Sequence, residues 1–279
     1  MIDNNTDTIM KYLILTLMKG VGPVTQNALL DVCPDIDRWF EAERDEDVIS
    51  EASAKIGMKQ IDRILEQRKD EDIRVHAEEI LEKCSVSGID IITRDDSAYP
   101  RLIYNIADMP ILLYAKGELK INRFEKSVGV VGARRCSREG REAAIGIAER
   151  LVDEGAAVIS GMAKGIDSYA HTAVIKKCGY TIAVLGCGVD ICYPKEHARL
   201  YEEICIHGCI ISEYPPGTSP RGYLFPRRNR LIAALSDEVY VIDAGRNSGA
   251  NLTVGYCEKY GRGVYKTELL ESSNRALYI

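Results

Sequence analysis

Two hydrophobic patterns divide the chain. From residue 10 to about 82, aliphatic residues are spaced among many charged ones, which is typical of helices with one buried stripe. From residue 127 onward, short apolar runs alternate with amphipathic stretches, which predicts alternating strands and helices. The predicted strands cover residues 128–131, 157–160, 181–185, 209–212 and 238–242. The predicted helices cover residues 138–153, 167–178, 195–207, 226–235 and 252–260.

The apolar runs in the second part are continuous, as expected for parallel strands whose two faces are both covered. We therefore predict an α/β fold in residues 83–279, a doubly wound Rossmann-like parallel sheet. Residues 1–82 are predicted to form a small all-α domain, and short strands are expected at 89–92 and 111–114.

A glycine-rich turn separates the first two predicted helices, with the sequence Gly20-Val21-Gly22-Pro23. One interpretation is a helix-hairpin-helix turn, whose exposed amides would hold a backbone phosphate. The other is a tight αα-hairpin that only packs. No basic residue directly follows the glycines, which favours packing.

Composition narrows the function classes. The 279 residues are 46% hydrophobic and 28% charged, with a formal net charge of −6. This balance suits a folded core and argues against a basic nucleic-acid coat, although it allows a local basic groove. No apolar run approaches the roughly 18–20 residues of a membrane span. The amino terminus lacks the basic and apolar regions of an export signal, so we expect a soluble, cytoplasmic protein.

The nine cysteines are scattered, and only Cys187, Cys192, Cys205 and Cys209 cluster. Their spacing does not form two Cys-x-x-Cys pairs, which favours buried, reduced thiols over a zinc site. We predict neither a metal site nor a cofactor.

Small residues follow the predicted strands. The segments are Gly132-Ala133-Arg134, Ser160-Gly161-Met162-Ala163-Lys164-Gly165, Gly186-Cys187-Gly188 and Asp243-Ala244-Gly245. In doubly wound sheets, ligands bind outside the carboxyl ends of the strands, and small residues let a backbone approach a phosphate or sugar. The sequence therefore predicts one glycine-lined crevice with Arg134 and Lys164 on its edge.

The densest basic segment is Phe225-Pro226-Arg227-Arg228-Asn229-Arg230. On a helix, Arg227 and Arg230 would share one side, and Arg228 would face elsewhere. Guanidinium groups beside an aromatic ring suit phosphate contacts and base stacking on a single strand. Alternatively, the arginines form internal ion pairs with nearby carboxylates. The candidate partners are Glu213, Asp237 and Glu238.

Catalytic groups are hard to assemble from this sequence. The first strand is not followed by Gly-x-Gly-x-x-Gly, and Walker A is absent, so neither a dinucleotide cofactor nor ATP has support. His171 lies within a predicted helix and is interpreted as a core or capping histidine. Asp167 could cap that helix or hold Arg134. We predict no catalytic residues and a binding protein rather than an enzyme.

Several motifs occur in a fixed order between about Tyr12 and Gly263. They are Tyr99-Pro100, Gly132-Ala133-Arg134, the segment 160–167 with His171, Gly186-Cys187-Gly188 with Tyr193-Pro194, the segment 212–217 and the segment 225–230. Together they resemble the DNA-processing protein A family, also called DprA or Smf. The resemblance implies a protein that binds single-stranded DNA during natural transformation, protects it and loads the recombinase RecA onto it. It also implies a homodimer formed through the Rossmann domain, and a SAM-like or helix-hairpin-helix domain at the amino terminus.

The resemblance also implies which residues contact DNA at the strand ends. They are Gly132, Arg134, Gly161, Lys164, Phe225, Arg227, Arg228, Asn229 and Arg230. In this role Arg134 would hold a phosphate, and Phe225 would offer a stacking surface. The family's common Gly-Ser-Arg is Gly-Ala-Arg here. After Gly263 the resemblance fades to a weak match of residues 274–277 with the final family helix, which leaves the last strand open.

Two other function classes fit the same fold. One is a nucleotide-processing enzyme of the nucleoside-monophosphate hydrolase type, although the Pro-Gly-Gly-x-Gly-Thr-x-x-Glu signature of one such group is absent. The other is a structural nucleoid or partner-docking protein, which would bind duplex and single strands alike.

Overall fold

The computed structural model describes residues 4–41, 45–245, 248–268 and 277–278. The chain divides into two compact units. The first comprises Met1–Tyr99 and Asn105–Leu113, and the second comprises Pro100–Tyr104 and Tyr114–Ile279.

The first unit is mainly helical. Its elements are α1 (Asn4–Leu17), α2 (Pro23–Val32), α3 (Ile36–Phe40), α4 (Glu46–Ile56), α5 (Met58–Gln67), α6 (Glu71–Ser87) and β1 (Asp90–Thr93). Aspartates at the N-caps of α3, α4 and α6 accept backbone N–H bonds, which explains where these helices begin. The predicted boundary at residue 82 falls inside α6, because the helix runs on to a left-handed Gly88. That residues 1–82 form a separate SAM-like domain stays a prediction.

The glycine-rich turn between α1 and α2 packs against α5. Gln67 accepts a hydrogen bond from the Lys19 N–H at 2.8 Å and donates one to the Lys19 carbonyl at 3.2 Å. A Cβ on Gly20 would lie 2.6 Å from Nη1 of Arg63. Side chains of α5 therefore contact the turn at Lys19 and Gly20, which favours the packing interpretation over a phosphate site.

The second unit holds the sheet. Its strands are β2 (Leu112–Gly117, which begins in the first unit), β3 (Ser127–Gly132), β4 (Ala157–Ser160), β5 (Thr181–Val184), β6 (Cys209–Ser212), β7 (Glu238–Ile242), β8 (Gly263–Glu268) and β9 (Leu277–Tyr278). Its helices are α7 (Arg138–Asp153), α8 (Ile166–Lys176), α9 (Ala198–His207), α10 (Leu224–Ala234) and α11 (Ala250–Tyr260).

Within this unit the strand order is β2-β6-β5-β4-β3-β7-β8-β9. The pairs from β6 to β8 are parallel, whereas β2–β6 and β8–β9 are antiparallel. The predicted α/β, Rossmann-like fold is confirmed, and the antiparallel pairs at both ends of this order were not predicted. β8 supplies the last parallel strand that the sequence left open, and residues 274–276 of the weak carboxy-terminal match lie outside the described residues.

The core explains why the parallel strands are uniformly apolar. The predicted stripe of α7, including Ala144, Ile147 and Leu151, packs with Val128 and Val158 of β3 and β4. Strand order reverses between β3 and β7, where Gly132 pairs in register with Ile242. Such a reversal opens a crevice beyond the strand ends, so it fixes where a ligand can bind.

The clustered cysteines pack as thiols. Cys187 and Cys209 are buried, and Cys192 and Cys205 are half-buried. Burial raises the pKa of the Cys187 thiol to about 11, so it stays protonated at neutral pH. The predicted burial is confirmed for Cys187 and Cys209, whereas Cys192 and Cys205 are partly exposed. No helix of the described ranges is long and apolar enough to cross a membrane.

Candidate functional site

Two adjoining cavities lie beyond the carboxyl ends of the parallel strands. The larger, of about 580 Å³, is called the switch-point cavity because it lies where the strand order reverses. Its walls include Arg134, Asp167, Phe225, Arg228, Asn229 and Thr253. The smaller, of about 120 Å³, is called the lysine cavity, and its walls include Arg134, Lys164, Gly186, Tyr193 and Phe225. Arg134, Phe225 and Arg228 border both cavities.

A tight turn presents Arg134 at the rim. A Cβ on Gly132 would lie 2.7 Å from Cγ1 of Ile166, so the turn after β3 has room only for glycine. Ala133 donates its N–H to the Ile242 carbonyl at 3.2 Å, and its own carbonyl accepts from Ile166 N–H at 3.2 Å. Arg134 itself is exposed, and no described residue forms an ion pair with it. Its guanidinium is therefore available to an anion.

Gly161 makes room for two buried charges at the cavity floor. Arg228 and Asp167 are 6% exposed each. A Cβ on Gly161 would lie 2.6 Å from Arg228 Nη2 and 2.6 Å from Asp167 Oδ2. Arg228 also donates to the Val184 carbonyl at the end of β5. The floor thus combines a guanidinium and a carboxylate around one glycine.

Burial governs the titration of these two groups. It raises the pKa of Asp167 to about 6, against the opposing attraction of Arg228. It also lowers the pKa of Arg228, against the opposing attraction of Asp167. Asp167 is not the predicted helix cap, because Gly165 occupies the N-cap and Asp167 is the second residue of α8. Its Oδ2 accepts from Ala163 N–H at 3.3 Å, and it interacts more strongly with Arg228 than with Arg134.

His171 supports the same loop from inside. It is fully buried, with Nε2 2.5 Å from the Gly161 carbonyl and Nδ1 2.7 Å from Oγ1 of Thr181. Burial lowers its pKa to about 4, so the ring is neutral at pH 7. Because a carbonyl only accepts, Nε2 carries the proton of the neutral ring. The predicted core histidine is confirmed, and it positions the loop after β4.

An aromatic pair borders the lysine cavity. The rings of Phe225 and Tyr193 lie 5.3 Å apart at 30°, and Tyr193 is 44% exposed. Phe225 also packs over Gly186, where a Cβ would lie 3.0 Å from its Cδ1. Tyr193 was not predicted as a site residue. Its position shortly after the glycines that end β5 was the available signal.

The arginines of α10 differ in environment. Arg227 is exposed, whereas Arg230 is 7% exposed and donates to Oε2 of Glu213 at 2.5 Å. Arg227 and Arg230 lie one turn apart on α10, so spacing alone does not explain why one is exposed and the other is buried. Arg230 instead follows the alternative interpretation, an internal ion pair with Glu213. The DNA contact at Arg230 stays a prediction, and it would require the guanidinium to leave Glu213.

The remaining predicted residues lie at the edges of the cavities. Asn229 donates to the Gly249 carbonyl at 3.2 Å and so joins α10 to the start of α11. Lys164 is exposed and pairs with Glu196, with Nζ 2.7 Å from Oε1. The structure thus gathers Gly132, Arg134, Gly161, Lys164, Phe225, Arg228 and Asn229 around two joined cavities.

Fold and site together define a Rossmann-like α/β protein with a cationic, glycine-lined crevice at its switch point. Residues 90–275 match the model of the family described as DNA recombination-mediator protein A. The chain belongs to this family, and the resemblance found in the sequence is confirmed.

Named relatives agree with this assignment. Protein Smf of Synechocystis sp. is 35% identical over 257 residues, covering 91% of this chain and 63% of that protein. DNA processing protein DprA of Streptococcus pneumoniae is 41% identical over 170 residues, covering 61% of this chain and 60% of the relative. The chain thus spans less than two thirds of the length of either protein.

Two solved structures are also similar. The X-ray structure of DNA processing protein A from Streptococcus pneumoniae superposes with a TM-score of 0.75 at 30% identity, covering 96% of this chain and 88% of that one. DNA processing protein A from Helicobacter pylori gives a TM-score of 0.60 at 30% identity, covering 67% and 86%. The latter structure was described for its single-stranded DNA binding mode.

Proposed function

We propose that this protein binds single-stranded DNA as a recombination mediator. In this role it protects incoming DNA and loads RecA onto it during natural transformation, as a homodimer formed through the Rossmann domain and not as an enzyme. The observation that carries the proposal is the exposed Arg134 guanidinium between two cavities, beside an aromatic pair. Family membership and the single-stranded DNA binding mode described for the Helicobacter pylori relative support it.

Each rim residue then has a distinct role. Arg134 binds a phosphate through its planar guanidinium, and exposed Arg227 and Lys164 add charge along the strand. Phe225 and Tyr193 stack against bases, which every base tolerates because each has a π-face. Because Gly132 and Gly161 have no side chains, the backbone there leaves room for the strand. Asn229 holds α10 against the start of α11 through its hydrogen bond to the Gly249 carbonyl. Arg228 acts from the floor, where it is buried.

The proposal is tested by fluorescence anisotropy with a short labelled oligothymidylate. Arg134→Ala should remove a charged hydrogen bond of about 1.5–3 kcal/mol and so weaken binding roughly 10- to 100-fold. The slope of log affinity against log salt should fall by about 0.7 for each lost phosphate contact. Arg138→Ala is the matched control for loss of one arginine, because Arg138 is 85% exposed on α7 and forms an i,i+4 pair with Glu142.

The outcomes separate the function classes. Equal affinity of the parent and Arg134→Ala would show that the crevice is not the binding site. Equal affinity for duplex and single strand would indicate a nucleoid protein. Release of free base from nucleoside monophosphates would indicate a hydrolase. RecA loading is measured separately. ATP hydrolysis by RecA is followed on single strands coated with a single-strand-binding protein, with and without the protein described here.

A further inference from the structure

A short segment lies against the loop that carries Lys164. The segment, residues 193–197, is called the strap and contains the turn Lys195–His197. It meets the site at three points. Tyr193 packs on Phe225, Nδ1 of His197 lies 3.2 Å from the Met162 carbonyl, and Glu196 pairs with Lys164. The strap therefore places a carboxylate beside the lysine.

The ion pair itself is solvent-accessible. Lys164 Nζ lies 2.7 Å from Glu196 Oε1, with the two side chains 56% and 63% exposed. The lysine hydrogen bond lowers the pKa of Glu196, so the carboxylate is charged at neutral pH. Exposed pairs of this kind contribute little to stability. The pair is thus easily separated by a competing anion.

Lys164 and Arg134 belong to one anion path. Both border the lysine cavity, and the Ile166 N–H bond to Ala133 fixes the loop of Lys164 against the turn of Arg134. A strand whose phosphate contacts Arg134 would bring a further phosphate toward Lys164. In the free protein, the Lys164 ammonium group is already paired with Glu196.

We infer that Glu196 competes with a DNA phosphate for Lys164 and so sets the affinity of the site. The inference rests on the proposed function. Binding at Lys164 exchanges Glu196 for a phosphate, and the displaced carboxylate offsets the charge that the lysine neutralises, so little of the cation atmosphere condensed on the DNA is released there. The contact therefore adds less affinity, and less salt dependence, than a free lysine would add.

The test is Glu196→Gln, measured with oligothymidylate over a range of salt concentrations. We expect affinity to rise about two- to fivefold, the range that the loss of a weak exposed pair allows. The salt slope should steepen by about 0.7, because a Lys164 without Glu196 neutralises one phosphate and releases the cation condensed on it. The gain should disappear in Lys164→Ala/Glu196→Gln, which should match Lys164→Ala alone.

Glu203→Gln is the control for charge. Glu203 lies on α9 and pairs with His207 at 3.6 Å, so its replacement changes net charge equally without freeing Lys164. An equal gain in Glu203→Gln, or unchanged or weaker binding by Glu196→Gln, would overturn the inference while leaving the Arg134 result intact. If neither the parent nor Glu196→Gln binds the oligonucleotide, both the inference and the proposed function fail.

Discussion

Two buried groups beneath the cavity, the Asp167 carboxyl and the His171 imidazole, make stability depend on pH. They give a prediction for the variant Asp167→Asn. Burial raises the pKa of Asp167 from 3.8 to about 6. At 1.36 kcal/mol per pKa unit, this costs about 3 kcal/mol of stability once the carboxyl ionises. The folded state holds this proton more tightly than the unfolded state does. The stabilisation from the protonated carboxyl is therefore lost as pH rises from about 4 to 6.

His171 has the opposite effect. Burial lowers its pKa from 6.5 to about 4, so the unfolded state holds the proton more tightly. Stability from this group is present above about pH 6.5 and is lost as pH falls toward 4, again by about 3 kcal/mol. The two contributions have similar size and opposite sign, so they nearly cancel in the parent protein.

Asp167→Asn removes one of the two opposing effects. The free energy of unfolding of the variant minus that of the parent should rise by about 3 kcal/mol between pH 4 and pH 7. Urea unfolding followed by circular dichroism at several pH values measures this difference. Asp153→Asn, which removes a carboxylate 66% exposed at the end of α7, reports the effect of the substitution itself. A difference that does not change with pH would refute the assigned burial of Asp167.

Three further predictions concern packing at a glycine, a buried ion pair and base stacking. Gly161→Ala should lower the free energy of unfolding by about 1–3 kcal/mol and weaken oligothymidylate binding, because its Cβ would displace the buried charges. Gly146→Ala, with open space at its Cβ, should instead stabilise the protein by up to about 1 kcal/mol, and equal thermal shifts in both variants would contradict this reasoning. Glu213→Gln should cost about 3–5 kcal/mol in denaturant unfolding, because it removes the carboxylate charge paired with the buried Arg230; a loss below 1 kcal/mol would mean that the pair is hydrated. Phe225→Leu should weaken single-strand binding by about 1–3 kcal/mol at unchanged salt slope, and a changed slope would argue against a stacking role.

Much of the fold was predictable because both faces of the parallel strands are covered. Continuous apolar runs then mark each strand, and the predicted bounds of β4, β6, β7 and α7 match the observed ones. The start of α10 was harder to predict. Pro226 marks the predicted first residue, yet the helix begins at Leu224, because proline is tolerated within a first turn. Antiparallel pairing of β2 leaves no local signature in so short a strand.

The site was predictable only where strand ends determine it. Arg134 and Lys164 lie at one rim because β3 and β4, the strands before them, are neighbours. Phe225 borders the same cavity from α10, which follows β6. The arginines of α10 could not be sorted, since helical spacing gives their relative angles but not which side faces the sheet. Tertiary packing buries Arg228 and Arg230 and leaves Arg227 exposed.

Arg228 has a consequence for how binding is divided between enthalpy and entropy. Its guanidinium is dehydrated and hydrogen-bonded to β5 before any ligand arrives. A preorganised charge of this kind loses no rotamer freedom on association, whereas the solvent-exposed Arg134 and Arg227 must each become ordered. Calorimetry should therefore find that the unfavourable entropy of binding comes mainly from ordering the exposed Arg134 and Arg227, and that the buried Arg228 adds little to it.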